Sequence, residues 1–98
     1  MIEKYPAVYI LTNSYKTVFY TGVTTNLLQR IYQHKMYLAD GFSKKYGLKL
    51  LVYFEMHEDI EAAIVREKRL RRWRREWKIK LIEKQNPHWN DLYPLIQG

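Results

Sequence analysis

Two short runs of β-branched and aromatic residues, Ala7–Thr12 (AVYILT) and Thr17–Val23 (TVFYTGV), stand only four residues apart, separated by Asn13, Ser14, Tyr15 and Lys16. Such runs suit a pleated, half-buried surface, and so short a polar connection makes them an antiparallel hairpin across Asn13–Lys16. The remaining chain must then supply the layers that cover this ribbon. Gly22 sits inside the second run. A glycine within a strand marks a bulge or a place where another group approaches the backbone closely.

The residues that follow alternate between helix and strand character. Thr24, Thr25 and Asn26 are good N-cap residues, and Leu27, Leu28, Ile31 and Leu38 follow at helical spacing. A helix is expected from about Asn26 to about Leu38, ended by Asp40 and Gly41. Phe42–Gly47 (FSKKYG) reads as a loop and Leu48–Phe54 (LKLLVYF) as a third strand. Glu58 or Asp59 caps a second helix from about Ile60, where acids suit the positive helix end. A third helical stretch, about Glu76 to Lys84, stops before Asn86–Pro87, because the residue preceding proline resists helical geometry. The expected fold is α+β, in the order β-β-α-β-α-α: a small three-stranded antiparallel sheet flanked by helices.

At 98 residues without a cysteine, the chain has room for a single domain over 1–98 and lacks disulfide, thiolate and Cys-based zinc chemistry. No stretch approaches the ~18–20 apolar residues of a membrane span, and the apolar run near the start is too short for a signal-peptide core. A cytoplasmic protein with no membrane partner is expected.

Charge narrows the function further. The net charge is +7, and Arg66–Lys80 (REKRLRRWRREWKIK) alone holds nine basic and two acidic residues, so the remaining chain is neutral overall. Two acids cannot pair nine bases. A patch of that kind suits a polyanionic partner, with nucleic acid foremost. Trp73 and Trp77, interleaved with arginines, could stack on bases, but tryptophans at i, i+4 more often pack in a core with arginine stems around them.

A few residues have the chemistry to do more than bind. Arg30 and His34 lie i, i+4 on the first helix, so a guanidinium and an imidazole share one face beside the apolar stripe. That pair can hold a phosphate oxygen and handle a proton, or it can be an idle surface pair. Glu67 is the least expected residue. Ile60, Ala63 or Ile64, position 67, Leu70, Trp73, Trp77 and Leu81 form one apolar helical stripe, and Glu67 is its single charged member. A carboxylate there needs an arginine partner or a bound cation, and Mg²⁺ takes only one or two protein carboxylates. The run Glu55–His57–Glu58–Asp59 suits helix capping better than a metal site.

Read together, these residues resemble the GIY-YIG endonuclease family in its small single-domain bacterial form. The first signature falls on Ala7–Val8–Tyr9 and the second on Tyr20–Thr21–Gly22. The following helix gives Arg30 and His34 within YTGVTTNLLQRIYQH, AIVREKRLRRW gives Glu67, and NPHWNDL gives Asn86. Ala7 stands where the family's first signature has glycine, and Thr21 where its second has isoleucine. Neither change removes a group that handles a proton, a phosphate or a metal.

The resemblance implies hydrolysis of a DNA phosphodiester with one Mg²⁺ (or Mn²⁺) held by Glu67. It implies Arg30 on the non-bridging oxygens, Tyr9 as general base, Tyr20 and His34 in orientation and proton movement, and Asn86 holding the site by hydrogen bonds. Lys44, Lys45, Arg66, Arg69, Arg71, Arg72, Arg74 and Arg75 would bind backbone phosphates without reading bases. The implied enzyme is structure-directed or weakly specific, has a possible role in DNA repair or processing, and acts as a monomer or weak dimer without an evident protein partner. Two other readings remain: a non-catalytic nucleic-acid-binding module on the same fold, and a membrane-surface helix. Glu67 argues against the first, and the core that the helix itself needs argues against the second.

Overall fold

The computed structural model describes residues 5–36 and 41–97. Three strands, β1 (Ala7–Thr12), β2 (Phe19–Thr24) and β3 (Leu50–Met56), form an antiparallel sheet in the order β2-β1-β3. The helices are α1 (Leu27–Lys35), α2 (Phe42–Lys45), α3 (Ile60–Arg72), α4 (Arg75–Gln85) and α5 (Tyr93–Ile96). The expected α+β architecture is therefore present, with the short α2 inside the segment expected to be a loop and α5 added near the end. The expected end of the first helix, at Leu38 and Asp40, lies outside the described residues.

The hairpin turn is built as its residues suggest. The Asn13 carbonyl accepts from the Lys16 amide at 3.0 Å, and its side chain accepts from the Thr17 amide at 2.9 Å. Asn26 caps α1 by accepting from the Gln29 amide, and Asp59 caps α3 by accepting from the Ala62 amide.

β1 is buried along its whole length because both sheet faces are covered. On one face Ala7, Tyr9 and Leu11 pack with Leu27 and Ile31 of α1 and Ile96 of α5. On the other, Val8 and Ile10 pack with Ala63 and Leu70 of α3 and Ile82 of α4. The pairing of β1 with β3 shifts register between Ile10 and Leu11, so Val52 and the next residue, Tyr53, both turn toward α3 and α4.

The two sheet edges differ. On β3, the Gln85 amide spans the Phe54 backbone, accepting from its N–H at 3.3 Å and donating to its carbonyl at 2.9 Å. Asn86 donates to the Val52 carbonyl at 3.1 Å. That edge is covered, whereas the β2 edge borders a cleft.

Candidate active site

Alternation along the strands sends Tyr9 and Tyr20 to the α1 face and Thr21 to the opposite one. Tyr9 lies directly across from Gly22 in the pairing, and its ring packs on that glycine. A β-carbon at position 22 would fall 2.5 Å from the Tyr9 hydroxyl and 2.9 Å from the Tyr20 ring. This is the close approach that a glycine inside the second strand predicted.

Helix α1 completes the group. Leu27, Ile31 and His34 are its buried residues, so His34 stands on the core stripe itself, with Arg30 half-buried one turn earlier. The rings of Tyr9, Tyr20 and His34 form a triangle with centroids 5.6–6.2 Å apart. The Tyr9 hydroxyl is 3.0 Å from His34 Nε2. The Arg30 guanidinium also donates to Gln33 Oε1 at 3.2 Å.

Burial dominates the electrostatics here. Burial, with Tyr20 adding to it, raises the Tyr9 phenol well above its ordinary value, and Arg30 only partly offsets this. Burial, and then Arg30, pushes His34 down to about 4. The hydrogen bond with Tyr9 holds Arg30 above its ordinary value despite partial burial. At neutral pH the pair is thus a phenol and a neutral imidazole, and with the proton on Nδ1, Nε2 accepts from the Tyr9 hydroxyl. Arg30 alone therefore does not bring Tyr9 to its phenolate form at neutral pH.

The cleft beside β2, of about 430 Å³, is lined by Phe19, Tyr20, Thr21, Arg71 and Lys78. Because β2 is an edge strand, groups from both sheet faces meet here: Tyr20 from the α1 side, Thr21 and the α3–α4 residues from the other. Glu67 on α3 is 2% exposed, yet Arg71, 65% exposed along its side chain, grips both its carboxylate oxygens at 2.6 and 2.7 Å. Burial and Arg75 lower Lys78 from its ordinary value, and Glu67 partly restores it. The Thr21 hydroxyl is buried with no hydrogen-bond partner among the described residues.

The other predicted residues divide by what they already hold. Asn86 is buried, and besides Val52 its side chain bonds the Asn90 carbonyl at 2.8 Å and the Asn90 amide at 3.0 Å. Its hydrogen bonds tie α4, β3 and the following loop together, and none reaches the ring cluster. Arg66 bonds Glu55 at 2.9 Å and lies over the Trp73 ring. Arg75 lies over Phe19 and donates to the Lys16 carbonyl at 2.8 Å. Lys44, Lys45, Arg69, Arg72 and Arg74 are exposed. Trp73 packs against the core, but Trp77, under Arg74, is 48% exposed, so the core reading holds for the first tryptophan only. Lys78 was missed as a cleft residue. Its place depends on a helix break at Trp73–Arg74 that carries no glycine or proline signal.

Among the described residues no three His, Cys, Asp or Glu side chains gather as a metal cluster. Glu67 is nevertheless a buried carboxylate that holds a cation through both oxygens, a donor that suits a hard dication otherwise liganded by water and phosphate.

The GIY-YIG catalytic domain matches residues 5–80. The chain is similar to a UPF0213 protein of Syntrophus aciditrophicus (strain SB), 38% identical over 88 residues that cover 82% of this chain and 91% of the relative. No solved structure matches it. The chain belongs to the GIY-YIG family, a family of nucleases. Tyr9, Tyr20, Arg30, His34 and Glu67 fall inside the matched stretch, and Asn86 falls beyond it.

Proposed function

We propose that this protein is a Mg²⁺- or Mn²⁺-dependent DNA endonuclease of structure-directed or weak specificity, with a role in DNA processing or repair. The observation that carries the reading is a buried carboxylate, Glu67, whose arginine partner lines a cationic cleft that also takes in Tyr20 of the ring cluster. Glu67 is the residue that would hold the metal. When bound, the ion supplies Lewis-acid polarisation of the scissile phosphate and stabilises the leaving oxygen.

The chain's own residues do the rest. Arg30, already facing two phenols, stabilises charge growing on the non-bridging oxygens. Tyr9 takes the attacking water's proton as its own passes to Nε2 of neutral His34. Tyr20, at the junction of cluster and cleft, positions the scissile phosphate. Exposed Arg69, Arg72 and Arg74 attract the phosphate backbone, as do exposed Lys44 and Lys45.

Incubation with plain, nicked, branched and single-stranded DNA, with and without Mg²⁺ or Mn²⁺, tests the reading. Metal-dependent cutting of at least one substrate is expected. If about four to six phosphates are neutralised, log K should fall against log salt with a slope near −4 to −5. Salt-sensitive binding with no cutting of any substrate would instead make the protein a nucleic-acid-binding module.

A further inference from the structure

In the free protein Glu67 is already engaged. Arg71 sits one helical turn along α3 and takes both carboxylate oxygens in a fork. The two ends of this pair differ, with the carboxylate buried and most of the guanidinium side chain in solvent. Arg71 can therefore leave by rotating its own side chain while α3 stays in place. Lys78, which donates to the Arg71 carbonyl at 3.3 Å, lines the same cleft. A dication entering this cleft alone meets two cations and a carboxylate whose two oxygens each already accept from Arg71.

A phosphate backbone reverses both obstacles. It supplies negative charge to the cleft, and its two non-bridging oxygens offer the guanidinium a second bidentate acceptor. We infer that Arg71 makes metal capture conditional on substrate: DNA phosphate draws the Arg71 fork off Glu67, and only then does the carboxylate accept its divalent cation. This rests on the proposed metal-dependent hydrolysis and adds an order to it. The free protein is a poor metal binder, and cation and DNA strengthen each other's binding by one common factor.

Mn²⁺ binding, followed by electron paramagnetic resonance of the free ion, tests this for wild type, Arg71→Ala, Arg71→Lys and Glu67→Gln. Each is measured alone and with a phosphorothioate duplex that resists hydrolysis. The Glu67→Gln complex reports the manganese that DNA phosphates bind unaided. Expected for wild type is weak binding alone and at least tenfold tighter binding with DNA. Arg71→Ala should bind Mn²⁺ at least tenfold more tightly than wild type without DNA and lose most of the DNA effect. It should also gain more melting temperature from Mn²⁺ than wild type does. Arg71→Lys, which keeps a charge but loses the fork, should lie between and serves if the alanine variant folds poorly.

Equal Mn²⁺ affinity in wild type and both Arg71 variants, with Glu67→Gln still abolishing binding, overturns the inference and leaves the metal reading standing. Undiminished binding by Glu67→Gln removes the metal reading, and the inference with it.

Discussion

Two groups of the same four residue types flank this sheet, and they have opposite characters. Tyr53, Glu55, His57 and Arg66 form one. There a single carboxylate collects the Tyr53 hydroxyl, His57 Nε2 at 2.7 Å and Arg66 Nε at 2.9 Å. Burial pulls Glu55 upward, but hydrogen bonds from Arg66, Tyr53 and His57 outweigh it and hold the carboxyl below its ordinary value. Burial and Glu55 push Tyr53 up to about 12. The second group is Tyr9, Arg30 and His34, with Glu67 bound instead to Arg71. Its cation faces phenols, and its imidazole is suppressed by burial and Arg30. The first group cancels its charges internally and acts as a brace between β3 and α3. The second leaves positive charge uncompensated beside an opening, as a site for an anion must.

The comparison breaks most sharply at the two glutamates. Glu67→Gln should lower cleavage at least a thousandfold while leaving DNA binding within a few-fold, because the amide keeps the shape but loses the charge that holds the cation. Its melting temperature should change little, since Arg71 returns to water when released. Glu55→Gln should do the reverse, costing about 1–3 kcal/mol of stability with cleavage retained. Cleavage rates and thermal unfolding of both variants decide it. A Glu67→Gln enzyme cutting at the wild-type rate would falsify the assignment of the second group as the reactive one.

The arginines offer a similar contrast. Arg30→Ala should lose ~3–4 kcal/mol of transition-state stabilisation, seen as turnover slowed by a hundredfold to a thousandfold with Kd nearly unchanged. Arg66→Ala strands Glu55 and uncovers Trp73, so it should lower the melting temperature and leave turnover within a few-fold. Equal losses of turnover and affinity in Arg30→Ala would reduce Arg30 to one more phosphate contact.

The two groups differ in pH response. His34 titrates at about 4 in the folded protein against an ordinary 6.5, so between those values the unfolded chain binds the extra proton. His34 therefore costs no stability above pH 6.5. Stability falls as pH drops toward 4, by about 3 kcal/mol, and this contribution levels off below that. Glu55 acts lower, where falling pH protonates a carboxyl held below its ordinary 4.5. Urea unfolding between pH 4.5 and 7 should show the slope in wild type and lose most of it in His34→Gln. An unchanged slope in the variant would mean that His34 is not suppressed.

Local patterns in the chain predicted much of this. β1 matches its expected bounds, Gly22 serves the close approach its strand position suggested, and Asn26 and Asp59 cap as their chemistry requires. The fate of Glu67 was legible as far as a choice between arginine and cation, but which arginine depends on α3 continuing unbroken to Arg72. The division into α3 and α4 was expected, but the place of the break, at Trp73–Arg74, was not legible. Arg74 has no side-chain cap, and the apolar stripe runs through Trp73 into Trp77 as though one helix continued. Both helices instead fold onto the same sheet face, and that tertiary packing brings Lys78 to the cleft. The brace at Glu55 was equally hidden, because its partners come from β3, the residue after it and α3.

The smallest expected effect concerns Thr21, which borders the cleft without belonging to either group. Its hydroxyl is buried and unpartnered among the described residues, and residues on its side of β2 pack against the α3–α4 core. An unsatisfied hydroxyl costs desolvation with no bond in return, whereas an apolar group of the same shape does not. Thr21→Val keeps the β-branched shape that a strand favours and should raise stability by about 1 kcal/mol. If the hydroxyl serves only as packing, cleavage and DNA affinity should stay at wild-type values while the melting temperature climbs. A rise in stability accompanied by a tenfold loss of cleavage would place Thr21 in the reactive group, as a donor or acceptor at the cleft wall. A fall in stability would show instead that the hydroxyl finds a hydrogen bond in solution, and the threonine would then count with the brace.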